Sequence, residues 1–156
     1  MEVLLLKRAE REDVNGGAWV FPGGVVDAGD QIALERLGAD VSSRAGPHAV
    51  HAVTAIRECF EECGLLYACQ HAEDAPRKLV DSDGVAPWQS WREPLNRGER
   101  SMAQWLDASR FVLSLSDLVL LSRWVTPVGI PKRFDTRFFV ARAPTAQHVT
   151  VDGGET

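Results

Sequence analysis

The 156-residue chain has little of what marks several protein classes. Its three cysteines, Cys59, Cys63 and Cys69, are odd in number and lack Cys-x-x-Cys spacing, which argues against a disulfide framework or a structural zinc site and favours reduced thiols in the cytoplasm. No apolar run approaches the roughly 20 residues of a membrane span, and the amino-terminal apolar run is too short for a signal peptide. The sequence therefore predicts a cytoplasmic protein with no membrane partner.

The net charge argues against a nucleic-acid-binding protein. A formal net charge of −5 argues against bulk attraction to nucleic acid, so a phosphate-bearing ligand must be drawn by local positive charge. The composition, 45% hydrophobic and 25% charged, is that of a globular domain able to bury a core. We therefore expect one domain, residues 1–156, without internal repeats.

Hydrophobic patterning in the first third predicts strands at 3–7 and 18–21, the second of which runs into the Pro22-Gly23-Gly24 bend. The polar segment that follows predicts a short helix at 32–37 and a loop at 42–47. A longer helix is expected from about 48 to 63, because Gly64 stands where a carboxy-terminal helix cap is common.

The rest of the chain alternates apolar runs with turn residues. We expect a strand at 65–68 and a helix around 88–95 that Pro94 disturbs. Ser101 and Gln104 have the form of a capping box that opens a helix to about 109. Two further strands are predicted at 119–125 and 137–141.

The predicted 48–63 helix carries an unusual cluster of charge. Glu58 and Glu62 lie one turn apart with Glu61 between them in angle, on or beside the face opposite the apolar stripe. Three such carboxylates repel one another unless a cation neutralises them, and hard divalent ions such as Mg²⁺ bind carboxylate oxygens together with substrate phosphates. A solvated helix face is the alternative interpretation of the cluster by itself.

A wider motif favours the metal site. The stretch Arg57-Glu58-Cys59-Phe60-Glu61-Glu62-Cys63-Gly64-Leu65 matches the second half of the signature of the Nudix hydrolases, and Gly24 with Asp30 resembles its Gly-x5-Glu first half. The two halves are separated by 26 residues, where the family ordinarily has seven. With an insertion at this position, the chain resembles the branch of the family that contains the peroxisomal coenzyme A diphosphatase and its bacterial relatives.

A second motif, ahead of the first, is similar to the one that Nudix enzymes acting on coenzyme A carry. The matching residues include Leu4, Leu5, Arg8 and the segment ending in Phe-Pro-Gly-Gly at 21–24. Two positions depart from it, because Leu6 replaces a threonine and Asp13 replaces an arginine. A strand and loop that merely end in Phe-Pro-Gly-Gly are the alternative interpretation.

The resemblance implies an α/β fold, the Nudix α/β/α sandwich around a mixed sheet. It places an insertion at about 31–47 and an extra helical segment at about 85–110, and it suggests that the chain is truncated at its ends. The implied reaction is hydrolysis of a diphosphate bond that depends on Mg²⁺ or Mn²⁺. A homodimer is also expected from the family, without an independent sign in the sequence.

Mapped residue by residue, the resemblance implies roles for the motif positions. The metal ligands would be Glu58, Glu62, Glu61 and the carbonyl of Gly23, and the catalytic group would be Glu61, Glu58 and Arg57. Arg57 has an equal alternative, an ordinary ion pair with a carboxylate one turn away. Substrate contacts are expected from five residues: Arg8, Phe21, Gly24, Arg133 and Arg137.

Several assignments stay open. The general base would be a helix glutamate or an acid on a later loop, and Asp152 and Glu155 are the late acids available. Arg133 and Arg137 have an alternative role as charges that guard a strand edge. Aromatic stacking on adenine is weighed against packing for four tryptophans, and packing is predicted for Trp88, Trp91, Trp105 and Trp124.

Three functions are therefore compared. The leading hypothesis is hydrolysis of coenzyme A or acyl-coenzyme A to 3′,5′-ADP and a 4′-phosphopantetheine product. A Nudix hydrolase of another nucleotide, such as ADP-ribose or NADH, is favoured by Leu6 and Asp13. A catalytically silent Nudix module for binding or regulation is the third, and the three carboxylates of the helix speak against it.

Overall fold

The computed structural model describes residues 2–8, 10, 16–70 and 78–151. The helices α1 to α6 and strands β1 to β6 that it contains are, in chain order, β1 Leu6–Lys7, β2 Trp19–Val20, α1 Ala28–Leu37, α2 Ala39–Ala45, α3 Ala49–Cys63, β3 Ala68–Gln70, α4 Ser82–Val85, α5 Arg92–Asn96, α6 Met102–Ser109, β4 Phe111–Leu113, β5 Val119–Val125 and β6 Asp135–Val140. Short 3₁₀ turns occupy Gly46–His48, Ala86–Trp91 and Leu115–Asp117.

Helix α3 lies at the centre of the core, as its apolar stripe predicts. Val53, Ile56, Phe60 and Cys63 are completely buried. The helix ends at Gly64, whose left-handed conformation (φ 72°, ψ 5°) allows its N–H to donate to the Phe60 carbonyl at 3.0 Å. The predicted bounds of this helix are confirmed.

The segment between the glycine bend and α3 is more helical than the sequence predicts. Helix α1 begins at Ala28, several residues before the expected start, because Asp27 and Asp30 form a capping box at its amino terminus. The loop predicted at 42–47 is wrong, since α2 and a 3₁₀ turn cover it. Val41 and Ala45 of α2 pack against the core, and this tertiary contact outweighs the weak local signal.

The strands pair in three two-stranded antiparallel sheets among the described residues, β1 with β2, β3 with β4 and β5 with β6. One mixed sheet was expected, and the described pairing is antiparallel throughout. The strand expected at 65–68 is β3, shifted to Ala68–Gln70, and β4 is an element that the sequence analysis missed. Both predicted late strands are confirmed as β5 and β6, although β6 begins at Asp135.

The helical segment expected at about 85–110 is confirmed, with Pro94 inside α5 and the Ser101–Gln104 capping box opening α6. Its tryptophans build the aromatic part of the core. The Trp105 ring lies 5.7 Å from Trp88 and 6.4 Å from Phe60, centroid to centroid. Packing is thus confirmed for Trp105, which is fully buried, and for Trp88 and Trp91, which pack against the core.

Trp124 differs in exposure from Trp88, Trp91 and Trp105. It lies on β5 and is 69% exposed, so the prediction that it is a packing residue is wrong. Its ring meets Phe138 edge-on at 6.5 Å, and Phe138 meets Phe21 in the same way at 6.1 Å. Both faces of the β5–β6 hairpin carry exposed apolar side chains.

Within residues 2–8, 10, 16–70 and 78–151, no helix has the length and apolar character needed to cross a membrane.

Candidate active site

Three glutamates project from the second half of α3, in three different environments. Glu61 is buried, with 3% of its surface exposed. The Glu58 side chain is 12% exposed, and Glu62 is half-buried. Glu58 and Glu62 are one helical turn apart, so their carboxylates share a side of the helix.

The glycine bend after β2 lies directly against this side of α3. The Gly23 N–H donates to Glu62 Oε2 at 3.1 Å. A Cβ atom at Gly24 would overlap the Glu58 carboxylate, so a larger residue there would have to displace the end of that side chain. The structure therefore brings Gly23, Gly24, Glu58 and Glu62 together, as the motif predicts.

Arg57 ties the bend to the helix. Its guanidinium is buried and donates to both carboxylate oxygens of Asp30, at 2.8 and 3.1 Å, and to the Val25 carbonyl at 2.9 Å. On the helix side, Nη1 lies 2.8 Å from Glu58 Oε1 and 3.2 Å from Glu61 Oε1. The ion pair one turn along the helix is present, and it is one part of a larger network of contacts around Arg57.

Asp30 is the other centre of this network. It is completely buried and accepts from Arg57, from the Thr54 hydroxyl at 2.8 Å and from the Asp27 backbone N–H at 3.2 Å. A buried carboxylate needs such compensation, because burial without a partner is costly. Asp30, which stands where the family has glutamate, thus anchors the start of α1 to the middle of α3.

Burial and charge act against each other in this cluster. Burial lowers the pKa of Arg57, but its hydrogen bonds to Asp30 and the charges of Glu58 and Glu61 outweigh burial and raise it overall. Burial raises the pKa of Glu61 to about 7, with Arg57 opposing and Glu58 adding to the increase. At Glu61, burial therefore outweighs the opposing effect of the Arg57 charge on the pKa.

A divalent cation is compatible with the donor atoms present. Among the described residues, no group of three or more His, Cys, Asp or Glu side chains is arranged to hold a metal ion. Mg²⁺ commonly binds one or two carboxylates and completes its shell with water and substrate phosphate. Glu58 and Glu62 fit that smaller donor set, because their carboxylates share one side of α3, where Glu58 lies against Gly24 and Glu62 accepts from the Gly23 N–H.

The residues predicted to bind substrate are spread more widely. The backbone of Arg8 closes the β1–β2 hairpin by bonds to Ala18 and Gly17, and Phe21 is 54% exposed beside Phe138. Both lie on the segment that leads to the glycine bend. Their contact with substrate remains a prediction.

The two later arginines bond within the β5–β6 hairpin. Arg133 donates to the Thr126 carbonyl at 3.1 Å, and Arg137 donates to the Asp135 carbonyl at 2.8 Å. These contacts agree with the alternative role of strand-edge charges. Asp13, Asp152 and Glu155 lie outside the described residues.

Sequence reasoning predicted a helix carboxylate as the partner of Arg57 but missed the buried contacts that Asp30 makes with Arg57 and Thr54. Asp27 and Asp30 are acids spaced three apart before a helical stretch, which is a recognisable capping signal. The buried Thr54, one turn before Glu58 on α3, is a polar residue among apolar ones and had no comparable local signal. The Thr54 hydroxyl has a partner only because α1 lies against α3 and brings the Asp30 carboxylate to it.

Comparison with known proteins finds relatives that carry the same name. The acyl-coenzyme A diphosphatase NUDT19 of Xenopus laevis is 30% identical over 193 residues, which cover 99% of this chain and 50% of that protein. The human protein of the same name is 28% identical over 180 residues, covering 88% and 47%. The chain thus spans about half the length of the curated relatives it matches. No protein-family model matches it.

A solved structure of a Nudix hydrolase also resembles this chain. The crystal structure of a Nudix hydrolase from Alicyclobacillus acidocaldarius resembles this chain with a TM-score of 0.69 and 28% identity, covering 97% of this chain and 66% of that one. The similarity extends over nearly all of the present chain.

Proposed function

We propose that this chain, which belongs to the Nudix hydrolase family and has its α/β fold, hydrolyses a diphosphate bond in a nucleotide linked to another group, with a divalent metal ion as cofactor. The observation that supports this most is the glycine bend held against α3, with Gly23 bonded to Glu62 and Gly24 against Glu58. The relatives named as acyl-coenzyme A diphosphatases support the same reaction class.

We assign Glu58 and Glu62 as the principal ligands of Mg²⁺ or Mn²⁺, with the Gly23 carbonyl beside them. When bound, such an ion supplies charge neutralisation to the diphosphate oxygens and activates water for attack. Glu61, buried against Arg57, is assigned to a further ligand position or to orienting the water. The general base stays open between a helix glutamate and a later acid.

Arg57 and Asp30 hold this group in place. Their two hydrogen bonds join α1 to α3, and the bond from Arg57 to the Val25 carbonyl joins the segment after the glycine bend to α3, so the carboxylates and the bend keep a common position. Phosphoryl transfer depends chiefly on such positioning and on charge neutralisation. A shift of the bend would therefore reduce hydrolysis without removing a ligand.

Coenzyme A or acyl-coenzyme A is the substrate that we favour, with 3′,5′-ADP and a 4′-phosphopantetheine product. Leu6, one of two departures from the coenzyme A motif, is 2% exposed and packs with Cys63 and Leu65. Its side chain therefore belongs to the core. Arg8, Phe21, Gly24, Arg133 and Arg137 remain the proposed substrate contacts, and ADP-ribose or NADH the alternative substrates.

Two further properties complete the proposal. A cytoplasmic location is supported by the three cysteines, which are free in the structure. A homodimer stays a prediction from the family.

One experiment separates these functions. The purified chain would be incubated with Mg²⁺ and, separately, with coenzyme A, acyl-coenzyme A, ADP-ribose and NADH, and the products separated by chromatography. We expect 3′,5′-ADP from the first two, loss of turnover with EDTA, and its return with added Mg²⁺. Turnover of ADP-ribose without turnover of coenzyme A or acyl-coenzyme A would contradict the coenzyme A assignment.

Matched variants test the site in the same assay. Glu62→Gln should lower turnover by about 100-fold or more, because a neutral amide is a poor ligand for Mg²⁺. Glu35→Gln, on the exposed side of α1, should leave it unchanged. No turnover of any compound by the parent chain would indicate a silent module, and equal turnover by both variants would remove the metal assignment.

A further inference from the structure

Cys59 and Cys63 form a close thiol pair on α3 that the proposed reaction does not use. Their Sγ atoms lie 3.4 Å apart, one helical turn from each other. Cys63 is completely buried and Cys59 is partly exposed. Leu6 and Leu65 pack around the pair. Cys69, the third cysteine, lies on β3 and is also buried.

The spacing of this pair is unsuited to a disulfide. A disulfide needs Cβ atoms about 3.5–4.5 Å apart, whereas residues one turn apart on a helix have Cβ atoms about 5–6 Å apart. Closing the bond would require the last turn of α3 to move. That turn is held, because the Cys63 carbonyl accepts from the Thr150 N–H at 2.9 Å and Gly64 caps the helix.

The same spacing suits two sulfur ligands on one ion. With sulfur bonds of about 2.3 Å and an angle of roughly 95° at a pyramidal trivalent centre, two sulfurs on one ion lie about 3.4 Å apart. The Sγ atoms of Cys59 and Cys63 lie 3.4 Å apart. Cys59 is the partly exposed residue of the pair, and Cys63 provides the second sulfur from within the apolar cluster.

We propose that Cys59 and Cys63 form a two-sulfur binding site for soft, thiophilic ions, represented by trivalent arsenic. Binding of an organic arsenic(III) oxide forms two As–S bonds, the two thiol protons leave with the oxide oxygen as water, and no oxidant is consumed. Glu58 and Glu62 directly precede the two cysteines in the chain. The site therefore lies on the same two turns of α3 as the carboxylates.

Phenylarsine oxide is the probe that tests this site. The intact chain would be mixed with the probe and an excess of a monothiol, and adducts would be counted by mass spectrometry. We expect one adduct per chain that resists the monothiol and is removed by a dithiol such as dimercaprol. Cys59→Ser should weaken binding by about 100-fold or more, because a single sulfur loses the chelate advantage.

Controls separate the pair from the third cysteine and from unfolding. Cys63→Ala should weaken binding as much as Cys59→Ser, whereas Cys69→Ser should keep the adduct, and circular dichroism would check that each variant is folded. No resistant adduct on the parent chain would overturn the proposal. So would an adduct that persists in folded Cys59→Ser or disappears in folded Cys69→Ser. Because adducts are counted without turnover, the result is independent of the hydrolase activity.

Discussion

Two arginine–aspartate pairs in this protein share a geometry and differ in their surroundings. Arg57 donates to both oxygens of Asp30 at 2.8 and 3.1 Å, and Arg123 donates to both oxygens of Asp135 at 2.7 and 2.8 Å. The side chains of the first pair are 7% and 0% exposed, and those of the second are 52% and 39% exposed. The first joins α1 to α3, and the second crosses the β5–β6 hairpin.

The difference shows why hydrogen-bond geometry alone does not measure structural importance. Water screens the exposed pair and competes for its donors, so such pairs contribute little to stability. In the buried pair, each charge depends on the other, because removing one leaves the other desolvated without compensation. The Arg57–Asp30 pair is therefore expected to control both the folding of the α1–α3 region and the position of the glycine bend.

Removing one charge from each pair should give the largest contrast. Arg57→Leu should lower the free energy of unfolding by about 3–5 kcal/mol, since Asp30 and Glu61 lose their buried partner. Arg123→Leu, the matched change on the hairpin, should leave stability near that of the parent chain. Urea denaturation followed by circular dichroism measures both. Equal losses in the two variants would contradict the distinction.

A buried and an exposed tryptophan allow the same comparison without a charged group. Trp105→Ala should lower the free energy of unfolding by about 3–5 kcal/mol, because it removes a completely buried ring that contacts Phe60. Trp124→Ala removes a ring that is 69% exposed and should change stability much less. The same denaturation assay applies, and a Trp124 loss as large as that of Trp105 would show that the hairpin is packed in solution.

Gly24→Ala tests the close approach of the bend to α3. The added Cβ would overlap the Glu58 carboxylate, so we expect hydrolysis to fall about 10- to 100-fold, as when a ligand's supporting contacts are disturbed. Gly84→Ala on α4, where the nearest atom would be 3.3 Å from the new Cβ, is the control and should retain activity. Full activity in Gly24→Ala would show that hydrolysis does not depend on the close approach of the bend to α3.

A titration gives the smallest expected effect, on the exposed pair. The hydrogen bonds from Arg123 lower the pKa of Asp135 to about 2, below the value near 4 of an unfolded aspartate. Because the folded pKa is depressed, the pair's contribution is present above about pH 4 and is lost as the pH falls towards 2. NMR titration should place Asp135 near 2 in the parent chain and higher in Arg123→Ala. An unchanged value in the variant would exclude Arg123 as the cause.

Sequence patterns predicted the elements whose signals are local. The apolar stripe of α3 and its Gly64 cap predicted that helix, and the Ser101–Gln104 capping box predicted α6. The three carboxylates and the glycine bend predicted the candidate site, and the structure brings the bend to Glu58 and Glu62. These features depend on spacing within a few residues or on a motif.

The features that sequence patterns did not predict depend on tertiary contact. The 42–47 segment has weak helical periodicity and becomes helical where Val41 and Ala45 reach the core. Strand β4 has only three residues and forms by pairing with β3. Burial of Asp30 follows from its distant partners Thr54 and Arg57, which lie 24 and 27 residues later in the chain.

Binding of Mn²⁺ followed by electron paramagnetic resonance tests the metal site most directly, because free and bound Mn²⁺ differ in signal and no turnover is needed. The parent chain and Glu35→Gln should bind Mn²⁺ with the same affinity in the presence of ADP, which supplies phosphate oxygens. Glu62→Gln and Glu58→Gln should each bind at least about 10-fold more weakly. Equal Mn²⁺ affinity in all four proteins would contradict the assignment of Glu58 and Glu62 as the metal ligands.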